Sequence, residues 1–108
     1  VVGASDEEIA AAITAAAAAL AHPLLDRARK AKEVRRESPV AMRTAEREMV
    51  EGVLDLAFLE KDTWVVVDFK TDVEIAGRRA EYEAQVAMYA RAVAAATGKS
   101  ATAVLLSV

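Results

Sequence analysis

The sequence has no cysteine, one histidine, two prolines and four glycines, and its aromatic residues are one tryptophan, two tyrosines and two phenylalanines in 108 positions. Without cysteine there is no disulfide, thiolate zinc site, iron–sulfur cluster or cysteine nucleophile. The same lack fits a reducing compartment. There is no excess of positive charge: 14 basic side chains stand against 17 acidic ones, for a net charge of −3. No global field therefore draws the chain onto nucleic acid, and any such contact needs a local basic patch or a partner. No apolar run is long enough to span a bilayer. The longest, Ile9 to Ala21, is mostly alanine and follows Asp6, Glu7 and Glu8, the wrong flank for a signal peptide. No GxxxxGK[ST] loop occurs, so an ATP-driven motor would have to lie elsewhere.

What is present suits one domain over residues 1–108 with a single core. A start at Val1 without methionine and an end on an apolar run read as a segment of a longer protein. Ser5 and Glu8 have capping-box spacing, and Ile9, Ile13, Ala16 and Leu20 recur on one helical face, which predicts a helix over residues 6–21. Pro23 is tolerated in a first turn, so a second short helix is expected from Pro23 to Lys32. Six basic residues (Arg27, Arg29, Lys30, Lys32, Arg35 and Arg36) fall within ten positions there. Residues 33–42, interrupted by Ser38-Pro39, read as an edge strand. Residues 47–59 alternate: Val50, Gly52, Leu54, Leu56 and Phe58 take one face, and Met49, Glu51, Val53, Asp55, Ala57 and Leu59 the other. Lys61-Asp62 reads as a turn, and residues 63–71 as a β-branched and aromatic strand. A helix over residues 77–96 carries Tyr82, Val86, Tyr89 and Val93 on one stripe and stops at Gly98. A buried strand over residues 101–108 follows. The order predicts a three-stranded antiparallel meander, then a helical crossover to a fourth strand.

The chemistry follows from the hairpin. With Lys61 and Asp62 as the two turn residues, Leu59 faces Trp64, Ala57 faces Val66, and Asp55 faces Asp68. Two carboxylates then stand on one face with Cβ atoms about 5 Å apart. Facing anions inside apolar strands call for a compensating cation, and oxygen ligands suit a hard divalent ion. Lys70 points to the same face, placed to pair with the carboxylates or to hold a water or phosphate oxygen. The competing reading is a solvated cross-strand charge group. A turn longer by one residue would also separate the pair, so the expectation depends on register.

Gly52-Val-Leu-Asp55, then Val67-Asp68-Phe69-Lys70-Thr71, then Tyr82-x-x-Gln85-x-x-x-Tyr89 resemble the RecB/AddA-type nuclease domain. This is a branch of the PD-(D/E)XK superfamily found in UvrD-like helicase–nuclease subunits. The resemblance runs from His22, with Pro23-Leu24-Leu25 after it, to Val108. It implies a restriction-endonuclease-like α/β fold, an αβββαβ core whose mixed four-stranded sheet is flanked by helices.

The implied activity is Mg²⁺-dependent hydrolysis of DNA phosphodiesters, with Mn²⁺ as a substitute ion and no iron–sulfur cluster. Asp55, Asp68, Lys70, Gln85 and Tyr89 would be catalytic. His22, Asp55, Asp68 and the Phe69 carbonyl would hold the metal. Glu37 matches a glutamate that commonly opens the first strand of the family, but its flanks Ser38 and Val40 depart from the usual pattern. Arg27, Arg29, Lys30, Arg35 and Arg36 become a DNA track beside such a site, and are otherwise a solvated helix face. Tyr82 and Trp64 read as packing residues, Tyr89 as either a packing or a site residue, Gln85 alternatively as a solvated helix residue, and His22 alternatively as a helix-junction residue. The implied partners are single-stranded DNA, a helicase motor domain of the same chain that uses ATP, and a second helicase–nuclease subunit, in the bacterial cytoplasm and with no membrane. The rival functions are a catalytically inactive module that binds DNA or a partner subunit, and another PD-(D/E)XK nuclease such as a junction resolvase.

Overall fold

Alternating apolar residues between polar turns build the sheet. In the computed structural model, which describes residues 13–16 and 21–108 and side chains from Pro23 onward, the elements in chain order are β1 (Ile13–Ala16), α1 (Ala21–Lys30), β2 (Val34–Arg43), β3 (Met49–Glu60), β4 (Thr63–Lys70), α2 (Asp72–Ile75), α3 (Arg79–Thr97) and β5 (Ser100–Ser107). The strands form one sheet in the order β1-β5-β4-β3-β2. β2, β3 and β4 are the antiparallel meander, and β5 lies parallel to β4 after the α3 crossover. Gly98, at φ 73°, ends α3 by donating its N–H to the Ala94 carbonyl. No helix among the described residues is long and apolar enough to cross a membrane.

The expected mixed α/β sheet is present, with one strand more. Ile13–Ala16 is not helical. It pairs parallel with β5, from Ile13↔Ala103 to Ala16↔Leu106. The rest of the predicted first helix lies outside the described residues. β-branched Ile13 and Thr14 favour extended backbone, and β5 would otherwise present an open apolar edge on that side. Tertiary pairing of this kind overrides alanine's helical propensity.

The hairpin has the anticipated register, from Glu60↔Thr63 to Leu56↔Val67. Lys61 and Asp62 both have positive φ, 51° and 69°, the type I′ geometry that matches strand twist. Beyond Lys70 the chain turns away sooner than expected. Thr71 is not strand but the N-cap of α2, in a capping box with Glu74.

The face assignment of β3 requires a correction. Leu54 and Ala57 lie in one cluster, under α3, with Trp64, Val66, Val86 and Tyr89. Leu56 and Phe58 lie in the other, under α1, with Leu24, Ala28, Val65 and Val67. The alternation therefore slips between Leu54 and Ala57. Across the pair, β2 slips too: Val34 packs on the α1 side and Val40 on the α3 side. The β2–β3 ladder runs through Arg36↔Leu56, skips one position and resumes at Ser38↔Leu54. The skipped residues are Glu37 and Asp55, and Glu37 has φ 46°, a left-handed conformation that costs a side-chain-bearing residue energy. The ladder is thus broken at the aspartate that the sequence singles out.

Candidate active site

Asp55 sits where β3 leaves its regular pairing on both sides. Freed from the ladder, its Oδ2 accepts the backbone N–H of Phe69 at 2.9 Å. That bond ties β3 to the end of β4 and fixes the carboxylate beside Asp68. Asp68 itself is only 3 % exposed. Lys70, two residues on, donates from Nζ to Asp68 Oδ2 at 2.6 Å and lies 3.5 Å from the Phe69 carbonyl oxygen. Asp55, Asp68 and Lys70 thus lie near one another, but not through the expected cross-strand pair: the β3–β4 ladder ends at Leu56↔Val67, and Asp55 is held by Phe69 N–H instead of facing Asp68.

The electrostatics are those of a site short of positive charge. Burial holds the Asp68 carboxyl above the usual carboxylate range, and the neighbouring Asp55 adds to the effect against the opposing pull of Lys70. Burial works against the Lys70 ammonium, but its hydrogen bond to Asp68 and the charges of Asp68 and Asp55 outweigh that and raise its pKa. Two carboxylates share one ammonium.

The available donors are carboxylate and carbonyl oxygens, the set preferred by a hard divalent cation. Among the described residues no group of three or more histidine, aspartate or glutamate side chains gathers. One or two carboxylates with a carbonyl and waters is nonetheless the usual way in which Mg²⁺ is held. The residues fit such an ion: a buried carboxylate with a raised pKa is the group that gains most from it. The His22 backbone lies at the start of α1, and its side chain is outside the described residues.

The helix residues divide. Tyr89 is buried, and its ring lies over Gly52: a Cβ on that glycine would stand 2.7 Å from both Cε1 and the hydroxyl oxygen of Tyr89. The glycine of the Gly52-x-x-Asp55 pattern thus makes room for the tyrosine of the helix. Gln85 is exposed and makes no side-chain hydrogen bond among the described residues. Tyr82, read from the sequence as packing, does more: Lys70 Nζ lies 5.0 Å from its ring centroid and the Arg78 guanidinium 5.2 Å. Only a helix register measured against the sheet would have revealed this contact. Trp64 is buried, as expected for packing, with its Nε1 unpartnered.

The basic cluster is not one continuous track. Arg27 makes two hydrogen bonds to Glu60, at 2.6 and 2.9 Å, which raise its pKa and lower that of Glu60. Arg29 pairs with Asp26, and Arg35 lies 3.7 Å from Glu33. Lys30 lines a hollow at the hairpin end with Lys32 and Lys61. Arg29 and Arg36 instead flank a cleft that reaches Asp55.

Comparison with known proteins agrees with this geometry. The sequence profile of the PD-(D/E)XK nuclease superfamily matches residues 2–108. An AddA-type ATP-dependent helicase/nuclease subunit of Alkaliphilus oremlandii is 34% identical over an alignment of 94 positions that covers 71% of this chain and 8% of that protein. The protein of the same name from Carboxydothermus hydrogenoformans is 44% identical over an alignment of 66 positions that covers 56% of this chain and 6% of that protein. The one from Heliobacterium modesticaldum is 37% identical over an alignment of 95 positions that covers 68% of this chain and 7% of that protein. The chain thus spans only a small part of the length of these relatives.

Proposed function

Because this chain belongs to the PD-(D/E)XK nuclease superfamily, we propose that it hydrolyses DNA phosphodiester bonds in a Mg²⁺-dependent reaction, with single-stranded DNA as substrate. The observation that carries this reading is the meeting of Asp55, buried Asp68 and Lys70 at the frayed end of the β3–β4 ladder. Asp55, Asp68 and the Phe69 carbonyl would hold the cation, joined by His22 from α1. Bound there, the ion supplies charge against the scissile phosphate and acidifies water.

Lys70 acts on the attacking water, as a hydrogen-bond donor that positions it or by helping to deprotonate it. It orients the attacking water or a phosphate oxygen and offsets the charge that develops there. Asp68 fixes the ammonium, and Phe69 N–H fixes Asp55, so both carboxylates are in place before substrate arrives. Gln85, exposed on α3, would meet the DNA backbone. Tyr89 supports β3 through Gly52 and so acts on Asp55 from behind.

We further infer that the domain works within a bacterial, cytoplasmic helicase–nuclease that processes broken DNA ends for repair and recombination. Its ATP-driven motor would lie in another domain of the same chain, and a second subunit would complete the machine. The names of the related subunits support this reading. The test is cleavage of single-stranded DNA by the wild-type chain and an Asp68→Ala variant, with Mg²⁺ and with EDTA. Cutting that requires Mg²⁺ and falls by at least about 100-fold in the variant is expected, the scale of losing one electrostatic group at a reacting centre. Cutting that persists in EDTA contradicts the mechanism.

A further inference from the structure

On the α1 side of the sheet a cleft of about 300 Å³ opens directly onto Asp55. Leu25 of α1, Leu56 of β3 and the half-buried ring of Phe69 give it an apolar floor. Arg29 and Arg36 stand at its sides. Arg36 is exposed and has no carboxylate partner among the described residues. An apolar floor with guanidinium groups at the rim is complementary to a nucleotide, whose base is flat and apolar on its faces and whose phosphate is anionic.

We propose that this cleft seats one unpaired nucleobase of the DNA strand, next to the scissile phosphate, with the base against Phe69 and the flanking phosphate on Arg36. The inference rests on the nuclease reading above and adds to it the groups that select a single strand. A cleft of this size admits one base, and a base in a duplex is held by its partner and its stacked neighbours. Entry from a duplex would cost a few kcal/mol of unstacking and unpairing, which an already single strand does not incur. Phe69 joins the two functions in one residue: its ring forms the floor, its N–H holds Asp55 at 2.9 Å, and its carbonyl faces Lys70. A base seated on the ring therefore places its own phosphate within one nucleotide of Asp55, which lines the same cleft.

The experiment is a scan with a labelled thymidine oligonucleotide carrying one abasic site, moved along the strand a position at a time. Binding is read by fluorescence anisotropy in EDTA, and cleavage separately in Mg²⁺. In the wild-type chain one position should weaken binding about fivefold or more, what one stacked base contributes. That position should adjoin the cut. Phe69→Leu should abolish the step, and Arg36→Ala should weaken binding at every position yet keep it. Melting curves confirm that each variant folds. A flat wild-type scan overturns the inference, whether or not the strand is cut, and so does a step that persists in Phe69→Leu. A clear step without cleavage in Mg²⁺ would keep the cleft assignment and contradict the nuclease reading.

Discussion

Lys70 lies between a buried carboxylate and an aromatic face, so its position depends on both. Replacing Tyr82 by leucine keeps the apolar bulk and removes the ring beneath the ammonium. A partly desolvated cation–π contact is worth roughly 0.5–2 kcal/mol. Tyr82→Leu should therefore slow cleavage about threefold to thirtyfold with little change in melting temperature, while Tyr82→Phe should cut at the wild-type rate. Asp68 supports a second prediction. Its pKa is raised, so it contributes stability that is full below its ordinary pKa and is lost as pH rises through the folded-state value. Without metal, Asp68→Asn should melt above the wild type at neutral pH, and the difference should close as pH falls toward the range where Asp68 holds its proton. Adding Mg²⁺ should raise the melting temperature of the wild type and leave the variant unchanged. Asp68 and Lys70 are legible in the sequence because the Lys61-Asp62 turn sets the register and β4 keeps its period, whereas Asp55 lies past the last β3–β4 pair, Leu56↔Val67, where the period no longer places it. Tyr82's contact with Lys70 is not legible either, since the period of α3 says nothing of where it sits over β4.

Among the elements, β3 and α3 are locked by a single missing side chain. Tyr89 fills the space that a Cβ at Gly52 would occupy, with its hydroxyl 2.7 Å from that point. Gly52→Ala should cost about 1–3 kcal/mol, the range for overpacking a tight contact, read as a lower denaturation midpoint with an unchanged slope. Because β3 carries Asp55 three residues later, cleavage should fall further than the loss of folded protein explains. The strict alternation expected along β3 failed at Asp55 for a local reason. With Glu37 in a left-handed conformation the β2–β3 ladder skips a pair, and both strands change face without changing register. Hydropathy cannot show this, because Leu54, Leu56 and Ala57 are apolar and each is buried, on one side or the other. Over Ile13–Ala16 the predicted first helix failed for a different reason. Helical spacing of apolar residues in an alanine-rich segment is also compatible with a short strand, and a free edge on β5 decides between them for Ile13–Ala16.

For the whole molecule, charge does not mark the functional surface. The net charge is −3, and three of the clustered arginines have carboxylate neighbours in Glu60, Asp26 and Glu33. What marks the site is a local surplus of negative charge, two carboxylates to one ammonium, next to the apolar clusters on the two faces of the sheet. The family resemblance reached the fold and the acidic pair because its motifs lie on β3, β4 and α3, the elements that hold the site together. It did not reach the cleft beside Asp55, which is assembled from α1, β2, β3 and β4 and has no contiguous motif.

That Asp55 and Asp68 together hold one divalent ion is tested most directly by titrating the chain with Mn²⁺ and following the free ion by electron paramagnetic resonance. The wild type should bind one ion per chain, and Asp55→Ala and Asp68→Ala should each weaken that binding by at least about tenfold, as loss of a metal-binding group does. Equal binding by the wild type and both variants would contradict it.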